Sequence, residues 1–485
     1  MWDRLLRNAR VVDPVNGRDG VLDVAVKDGR IAAVGPNLQG EASEVEDLTG
    51  LVVMPGLIDP HLHLGSMFGS AYGTRMAAAA GVTTCLDMAG FEAFTDKLLE
   101  PCLDMAGPVD EILETSKTCG AGINVAMLEG FSPMKHCGTM TPTREQLEKF
   151  VRESLEKGAV GVKIMGGHWP LPLETSRELV KTANDMNAYV AWHAGSHTAG
   201  SNILGMREVI EAAKGQRLHL AHINAYCRGR VNPVDEESKE AIEMLRANPN
   251  LWCEAYVSPN NGTVLDCDED GQIIDHVTRT CLETFGLTPD AAGMREAFLT
   301  HRCFAIADTG FMSELVEGEA ALELWEKQGM KGAGSFPVNP ALSRFMVATA
   351  KREDGSFVVD AISTDGGCIP RNVAISVGLS LVKFGALTLP EFVVKTSVNP
   401  ARHLRLHDRG HLSEGAAADI TVFDYDRQQA VETIVAGKSV MKNGEITGTG
   451  ITLVTTKAGI PAAERNGFKW IETEFESPEP ERYIP

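Results

Sequence analysis

Two histidines, His61 and His63, close the stretch VVMPGLIDPHLHLGS at 52–66. Residues two apart on a strand project from one face, so both imidazoles can reach a single metal ion. The plain alternative is a pair of ordinary polar residues at a strand end. A metal centre needs further ligands, and the chain offers four candidates. Lys163 lies in GVKIMGG, His193 ends AYVAWH, His222 follows RLHLA, and Asp365 sits in VDAISTDGG. Imidazole and carboxylate donors suit Zn²⁺ or a similar divalent ion. Lys163 is the odd member, because an ammonium repels a cation. Its amine, once combined with carbon dioxide, becomes a carbamate, an anionic oxygen ligand that can bridge two metals. Singly, each residue has an ordinary reading: a solvated lysine, core histidines, a turn aspartate. The pattern gains force only if the fold gathers all six.

The middle of the chain supplies such a fold. Eight apolar runs read as strands, at 57–65, 82–90, 122–131, 159–167, 188–195, 217–225, 251–258 and 359–367. Amphipathic stretches such as REQLEKFVRESLEKG and EESKEAIEMLRAN separate them. Repeated strand-then-helix units indicate an α/β fold with a parallel sheet, and eight of them a (β/α)8 TIM barrel. Chemistry in such a barrel sits at the C-terminal strand ends, where His61, His63, Lys163, His193, His222 and Asp365 fall. Short alternating strands with the hairpin signals Asp28-Gly29 and Asn443-Gly444 occupy both chain ends. They predict one small β-sandwich domain built from 1–54 and 405–450, with the barrel at 55–404 between them. The gap between strands seven and eight is too long for a crossover. It marks an insertion at about 259–357, read as a packing or oligomer element in preference to a substrate lid. The Pro- and Glu-rich end of 451–485 reads as a C-terminal arm.

The bulk properties narrow the partners. With 485 residues, 44% hydrophobic and 23% charged, the chain is globular. A formal net charge of −21 argues against nucleic acid and anionic membrane, leaving a small-molecule substrate. No apolar run is long enough to span a bilayer, and the N-terminus lacks the apolar core of a signal peptide. Ten scattered cysteines without a CxxC pair read as reduced thiols in a cytoplasmic protein. Cys85, inside the second strand, reads as core.

Three motifs carry a family resemblance: PGLIDPHLHLG, GTRMAAAAGVTTCLDMAG and SVNPARHLRLHDRGHLSEGAAADITVFD. Over nearly its whole length the chain resembles the amidohydrolase superfamily. Its second motif is similar to dihydroorotases and hydantoinases, its length and long insertion to D-aminoacylases. The resemblance implies two divalent ions, most naturally Zn²⁺. His61 and His63 would hold the more buried one, and Lys163, as N6-carboxylysine, would bridge both. His193 and His222 would hold the second, and Asp365 would complete the first site and act as general base. Hydantoinases carry an oxyanion-holding tyrosine five residues after the lysine, where this chain has His168. In D-aminoacylases a cysteine after the second strand is a ligand and the carboxylated lysine is absent. Here Lys163 is available, which favours the lysine-bridged form.

The implied function is hydrolysis of a C–N amide bond, in a cyclic amide or an N-acyl amino acid, by hydroxide activated at the metals. Asp365 would move the proton and His168 would stabilise the oxyanion. Arg371, in CIPRN, could clamp a substrate carboxylate. Tyr226, Arg228 and Arg230 are similar candidates, and His197 a supporting one. The alternatives are a ring deaminase on the same scaffold, against which Lys163 argues, and a silent scaffold subunit, against which the intact ligand set argues. Relatives of this kind form dimers or tetramers, so a homo-oligomer is expected.

Overall fold

The architecture is taken from a computed structural model, which describes residues 1–65, 72–89, 108–476 and 482–484. Eight parallel barrel strands run in chain order: Leu57–His63, Val82–Asp87, Ala121–Gly130, Gly161–Met165, Tyr189–His193, Leu218–Leu220, Leu251–Tyr256 and a split eighth. The eighth consists of Ala361–Ser363, paired with strand seven, and Gly366–Gly367, paired with strand one. The ring therefore closes through the break at Thr364 and Asp365. Asp365 has a left-handed backbone, φ 51°, a conformation that ends regular strand pairing. Buried Asp59 splints the break, accepting from the Thr364 hydroxyl at 2.6 Å and from the His61 N–H at 3.1 Å.

Local sequence explains the outer helices. Arg144–Glu156 starts at Thr143, whose side chain and that of Gln146 form a reciprocal capping box. Its Leu147, Phe150 and Val151 recur at three- and four-residue spacing and are buried. Each such side chain, removed from water, stabilises the fold by roughly 1.5–3 kcal/mol.

Strands from both chain ends join in one nine-stranded sheet, in which Val52–Pro55 pairs with Trp2–Asp13 on one side and Ile420–Asp424 on the other. Leu6, Val11, Val24, Val53, Ile420 and Ile434 share its core. Two buried side chains bolt this sheet to the barrel. Thr421 accepts from the Leu57 N–H and donates to Gly81 O. Asp419 accepts from Asn124 of barrel strand three and from Arg409.

The segment after strand seven is a folded unit. Its strands Asn261–Val264, Phe304–Asp308, Ser313–Val316 and Ala333–Phe336 form an antiparallel sheet. Leu265, Leu282, Met294, Phe298, Trp325 and Phe336 give it its own core. Asn339 pins its root, donating to Ser258 O and Asn260 O at 3.1 Å each. The next helix, Ala341–Thr349, packs on Val234–Ala247 and strand seven as an ordinary barrel helix. The inserted unit thus ends near 340.

The stretch from 450 onward differs from the extended arm expected at 451–485. Gly450–Thr455 is a strand, parallel to the first half of barrel strand three, and Lys469–Glu472 pairs beside it. Its apolar residues Ile451, Leu453 and Val454, all buried, reward that placement. Farther on, Arg482 binds buried Asp360 at 2.5 Å and Leu251 O at 2.7 Å, and Tyr483 donates to Pro14 O. Residues 477–481 and 485 lie outside the described set. Among the described residues no helix is long and apolar enough to cross a membrane.

Candidate metal centre

The barrel mouth collects the expected ligands into one pocket. His61, His63, Lys163, His168, His193, His222, Asp365 and Arg371 all line it. His61 and His63 alternate onto the inner face of strand one and are 1% and 3% exposed. The Nδ1 atom of His63 lies 2.7 Å from Ala89 O. A carbonyl only accepts, so Nδ1 carries the proton and Nε2 presents a lone pair. That lone pair faces Asp365 Oδ1 at 2.9 Å, and His61 Nε2 faces the same oxygen at 3.2 Å. Acceptors converging on a carboxylate oxygen mark a place for a cation. Donor atoms of His61, His222 and Asp365 lie within 4.8 Å of one another.

Burial keeps three of the imidazoles neutral, as metal ligands must be. It pulls His222 down to about 3 and holds His61 and His193 well below the ordinary histidine range. Asp365 stays ionised despite burial, because the Arg371 guanidinium holds its carboxyl far below the usual range.

Lys163 is 1% exposed. Among the described residues the only atom within hydrogen-bond distance of its Nζ is Met88 Sδ, at 3.4 Å. Desolvation lowers its amine to about 8, against the pull of Glu254, Asp365 and Asp87. A salt-bridged or solvated lysine would have neither feature.

His193 and His222 meet edge to face, with His193 Nδ1 3.0 Å from His222 Nε2. Ser201 stands 2.8 Å from the other nitrogen of His193. The turn after strand four passes so close that a Cβ on Gly167 would sit 1.9 Å from His193 Nε2; only glycine fits there. His222, like Asp365, has a positive φ, 52°. His168 lies across the pocket, its ring centroid 5.3 Å from that of His193, and burial lowers it to about 4.

All three expected substrate contacts have partners within the chain. Arg371 is 3% exposed. It binds Asp365 Oδ2 at 2.7 Å, the Asp365 carbonyl and Asn260 O. Its guanidinium orients the aspartate. Tyr226 is buried, its hydroxyl accepting from the Ala194 N–H at 2.9 Å; it braces the end of strand five. Arg228 lies beyond the pocket lining, half-buried, bound to Asn339, Tyr256 and Asn261. Cys85 is core.

Two contributors were not read from the sequence. Glu254, fully buried on strand seven, meets His61 Nδ1 at 2.6 Å and lies 3.3 Å from His219 Nε2, with Tyr189 behind at 2.7 Å from His219 Nδ1. Its signal was a carboxylate inside the apolar run LWCEAYV. Asn261 and Gly262, from the inserted unit, complete the pocket wall.

Comparison with known proteins agrees with this geometry. Amidohydrolase family models match residues 52–244 and 384–447. The chain belongs to the amidohydrolase superfamily. It is 25% identical to the dihydroorotase of Lactococcus lactis over 446 residues, covering 88% of this chain and 91% of that one. It is 26% identical to the dihydroorotase of Streptococcus pneumoniae over 452 residues, 90% and 93% of the two chains. Among solved folds, the amidohydrolase chain superposes on N-acyl-D-glutamate deacylase from Bordetella bronchiseptica with TM-score 0.64 and 16% identity, over 93% of this chain and 98% of the other. For dihydropyrimidinase from Brevibacillus agri the TM-score is 0.59 at 15% identity, over 98% and 99%. As an amidohydrolase the protein is a metal-dependent hydrolase of non-peptide C–N bonds.

Proposed function

We propose that this amidohydrolase opens a small cyclic amide at a two-metal centre held by His61, His63, Lys163, His193, His222 and Asp365. The observation that carries the reading is the convergence of the His61 and His63 nitrogens on Asp365 Oδ1 beside an amine with no oxygen partner. The preference for a ring over an N-acyl amino acid rests on the dihydroorotases matched along most of the chain. Nitrogen and carboxylate donors suit Zn²⁺. Lys163 fits N6-carboxylysine, because an amine at about 8 is neutral far more often than an ordinary lysine, and the neutral amine is the form that combines with carbon dioxide.

Bound divalent ions supply Lewis acidity here, lowering the pKa of water and polarising a carbonyl. The chain's own residues do the rest. Asp365, anchored by Arg371, takes the proton of the attacking water and returns it to the departing nitrogen. Neutral His168 donates an N–H to the carbonyl oxygen as charge develops there. Asn261 and Gly262 close the wall and limit water. The same reading takes the enzyme as cytoplasmic, its described cysteines all being free, and as a dimer or tetramer. A deaminase or a silent scaffold subunit has no such use for Lys163 with a full ligand set.

The test is a hydrolysis screen of zinc-reconstituted protein, with Asp365→Asn as blank. Hydantoins, dihydropyrimidines and lactams are set against N-acyl-D- and N-acyl-L-amino acids. Turnover of ring amides that disappears in the blank supports the proposal. Turnover confined to acyl amino acids replaces the ring by a linear substrate.

A further inference from the structure

A column of buried polar side chains runs through the barrel interior to His61. Glu254 Oε1 lies 2.6 Å from His61 Nδ1 and 3.3 Å from His219 Nε2, and the Tyr189 hydroxyl lies 2.7 Å from His219 Nδ1. The other carboxyl oxygen, Oε2, accepts from the Ser363 hydroxyl at 3.2 Å. His61, Glu254, His219 and Tyr189 are each at most 4% exposed. Tyr189 is the first residue of strand five, so the column starts where the strands begin and ends at the metal pocket, which His61 lines. The plane of the His219 ring is fixed by its neighbours. Tyr189, Trp252 and His403 meet it edge to face, with centroids 5.9, 4.5 and 5.7 Å away. Trp252 in turn stacks on His403 at 3.7 Å. Among the described residues neither nitrogen of His403 has a hydrogen-bond partner, so that ring serves the column by packing.

The protons of this column follow from its geometry. Burial holds His219 well below the ordinary histidine range, so the ring is neutral and carries one proton. A carboxyl oxygen met by two imidazoles is their shared acceptor, which puts that proton on Nε2. His219 Nδ1 then presents a lone pair, and the Tyr189 hydroxyl donates to it. His61 likewise donates from Nδ1, which leaves its Nε2 lone pair facing Asp365 Oδ1 at 3.2 Å. Without the Tyr189 hydroxyl, no hydrogen bond on that side tells the two tautomers of His219 apart, and the one with a bare Nε2 repels the carboxyl oxygen.

We propose that Tyr189 and His219 are positioning residues for the metal ligand His61. Tyr189 sets the tautomer of His219, His219 holds Glu254 Oε1 in place, and Glu254 keeps the His61 Nε2 lone pair turned toward the metal. The inference rests on the reading of His61 as a ligand. The group behind a ligating imidazole changes metal affinity by ~10–100-fold, and here that group is itself held by side chains from strands five and six.

Cobalt(II) is the probe, because its visible absorption reports ligand geometry and a chelator competition reports its affinity. His219→Leu removes the donor and keeps a buried side chain, so cobalt binding should weaken ~10-fold or more, with an altered spectrum. His219→Gln, whose amide N–H can replace that of Nε2, should bind close to the parent. Tyr189→Phe should fall between the two. In the double variant Tyr189→Phe/His219→Gln the loss caused by Tyr189→Phe should vanish, because an amide has no tautomer to fix; such non-additivity marks residues that act through one another. A packing role alone would lower the thermal unfolding midpoint of every variant and leave cobalt affinity and spectrum at parental values. That result, or equal losses for His219→Leu and His219→Gln, overturns the proposal. Should His219→Leu fail to fold, Tyr189→Phe with and without His219→Gln decides the matter alone. Failure of the ligand reading looks different: the parent and His61→Ala/His63→Ala then take up cobalt equally.

Discussion

Two clusters of charged groups, one inside the pocket and one outside its lining, treat charge in opposite ways. In the ligand cluster each carboxyl group has a partner: Asp365 faces two histidines and Arg371, and Glu254 backs His61. Outside the pocket lining, Arg228 and Arg344 hydrogen-bond only to neutral atoms. The first arrangement is complete once a cation arrives. The second rests on neutral acceptors of this chain. Changes in the ligand cluster should therefore alter metal content or turnover, and changes at the arginines should leave metal content unchanged.

The largest effect is expected from Asp365→Asn, which keeps an oxygen ligand but cannot move the proton. Turnover should fall by ~10²–10⁴-fold with metal retained by elemental analysis; a variant with parental rates would remove Asp365 from the chemistry. Next comes Glu254→Gln. A carboxylate behind a ligating imidazole raises its basicity, so its loss should weaken metal binding by ~10–100-fold in a chelator competition. Unchanged affinity would mean that Glu254 only fills space. A smaller effect concerns pH. With its amine at about 8, Lys163 becomes increasingly neutral as pH rises from 7 to 9. Metal loading from bicarbonate buffer should climb over that range and level off, and Lys163→Ala should abolish the climb. The smallest change is Tyr256→Phe, which removes the acceptor for Arg228 and should cost ~1 kcal/mol of folding stability in a denaturant titration without touching metal content. If it strips metal instead, the two clusters are not independent.

Much of this was legible in the sequence because the period-two pattern of barrel strands places polar residues at strand ends in plain view. His61, His63, Lys163, His193, His222 and Asp365 were readable on that ground alone. Glu254 was not, since a single acid in an apolar strand has no partner visible along the chain; its partners come from strands one and six. Arg371 was read as a substrate clamp because a sequence records the residue type but not which acceptor reaches it first. The backbone strain was equally hidden. Ala89, His222 and Asp365 have positive φ without being glycine, and each touches the metal pocket or supports a ligand. Such conformations persist where surrounding structure enforces them, and propensity does not register them.

The pairing of Gly450–Thr455 with the first half of barrel strand three has a consequence for how the molecule is made. Strand three leaves the ribosome early, but half of one edge stays open until the end of the chain appears. An open edge is a template for wrong pairing, and closure between partners so distant in sequence is slow. The nascent barrel must wait, partly exposed, for its last strand. A chain cut short before 450 would carry every catalytic residue and still lack the piece that seals the barrel wall.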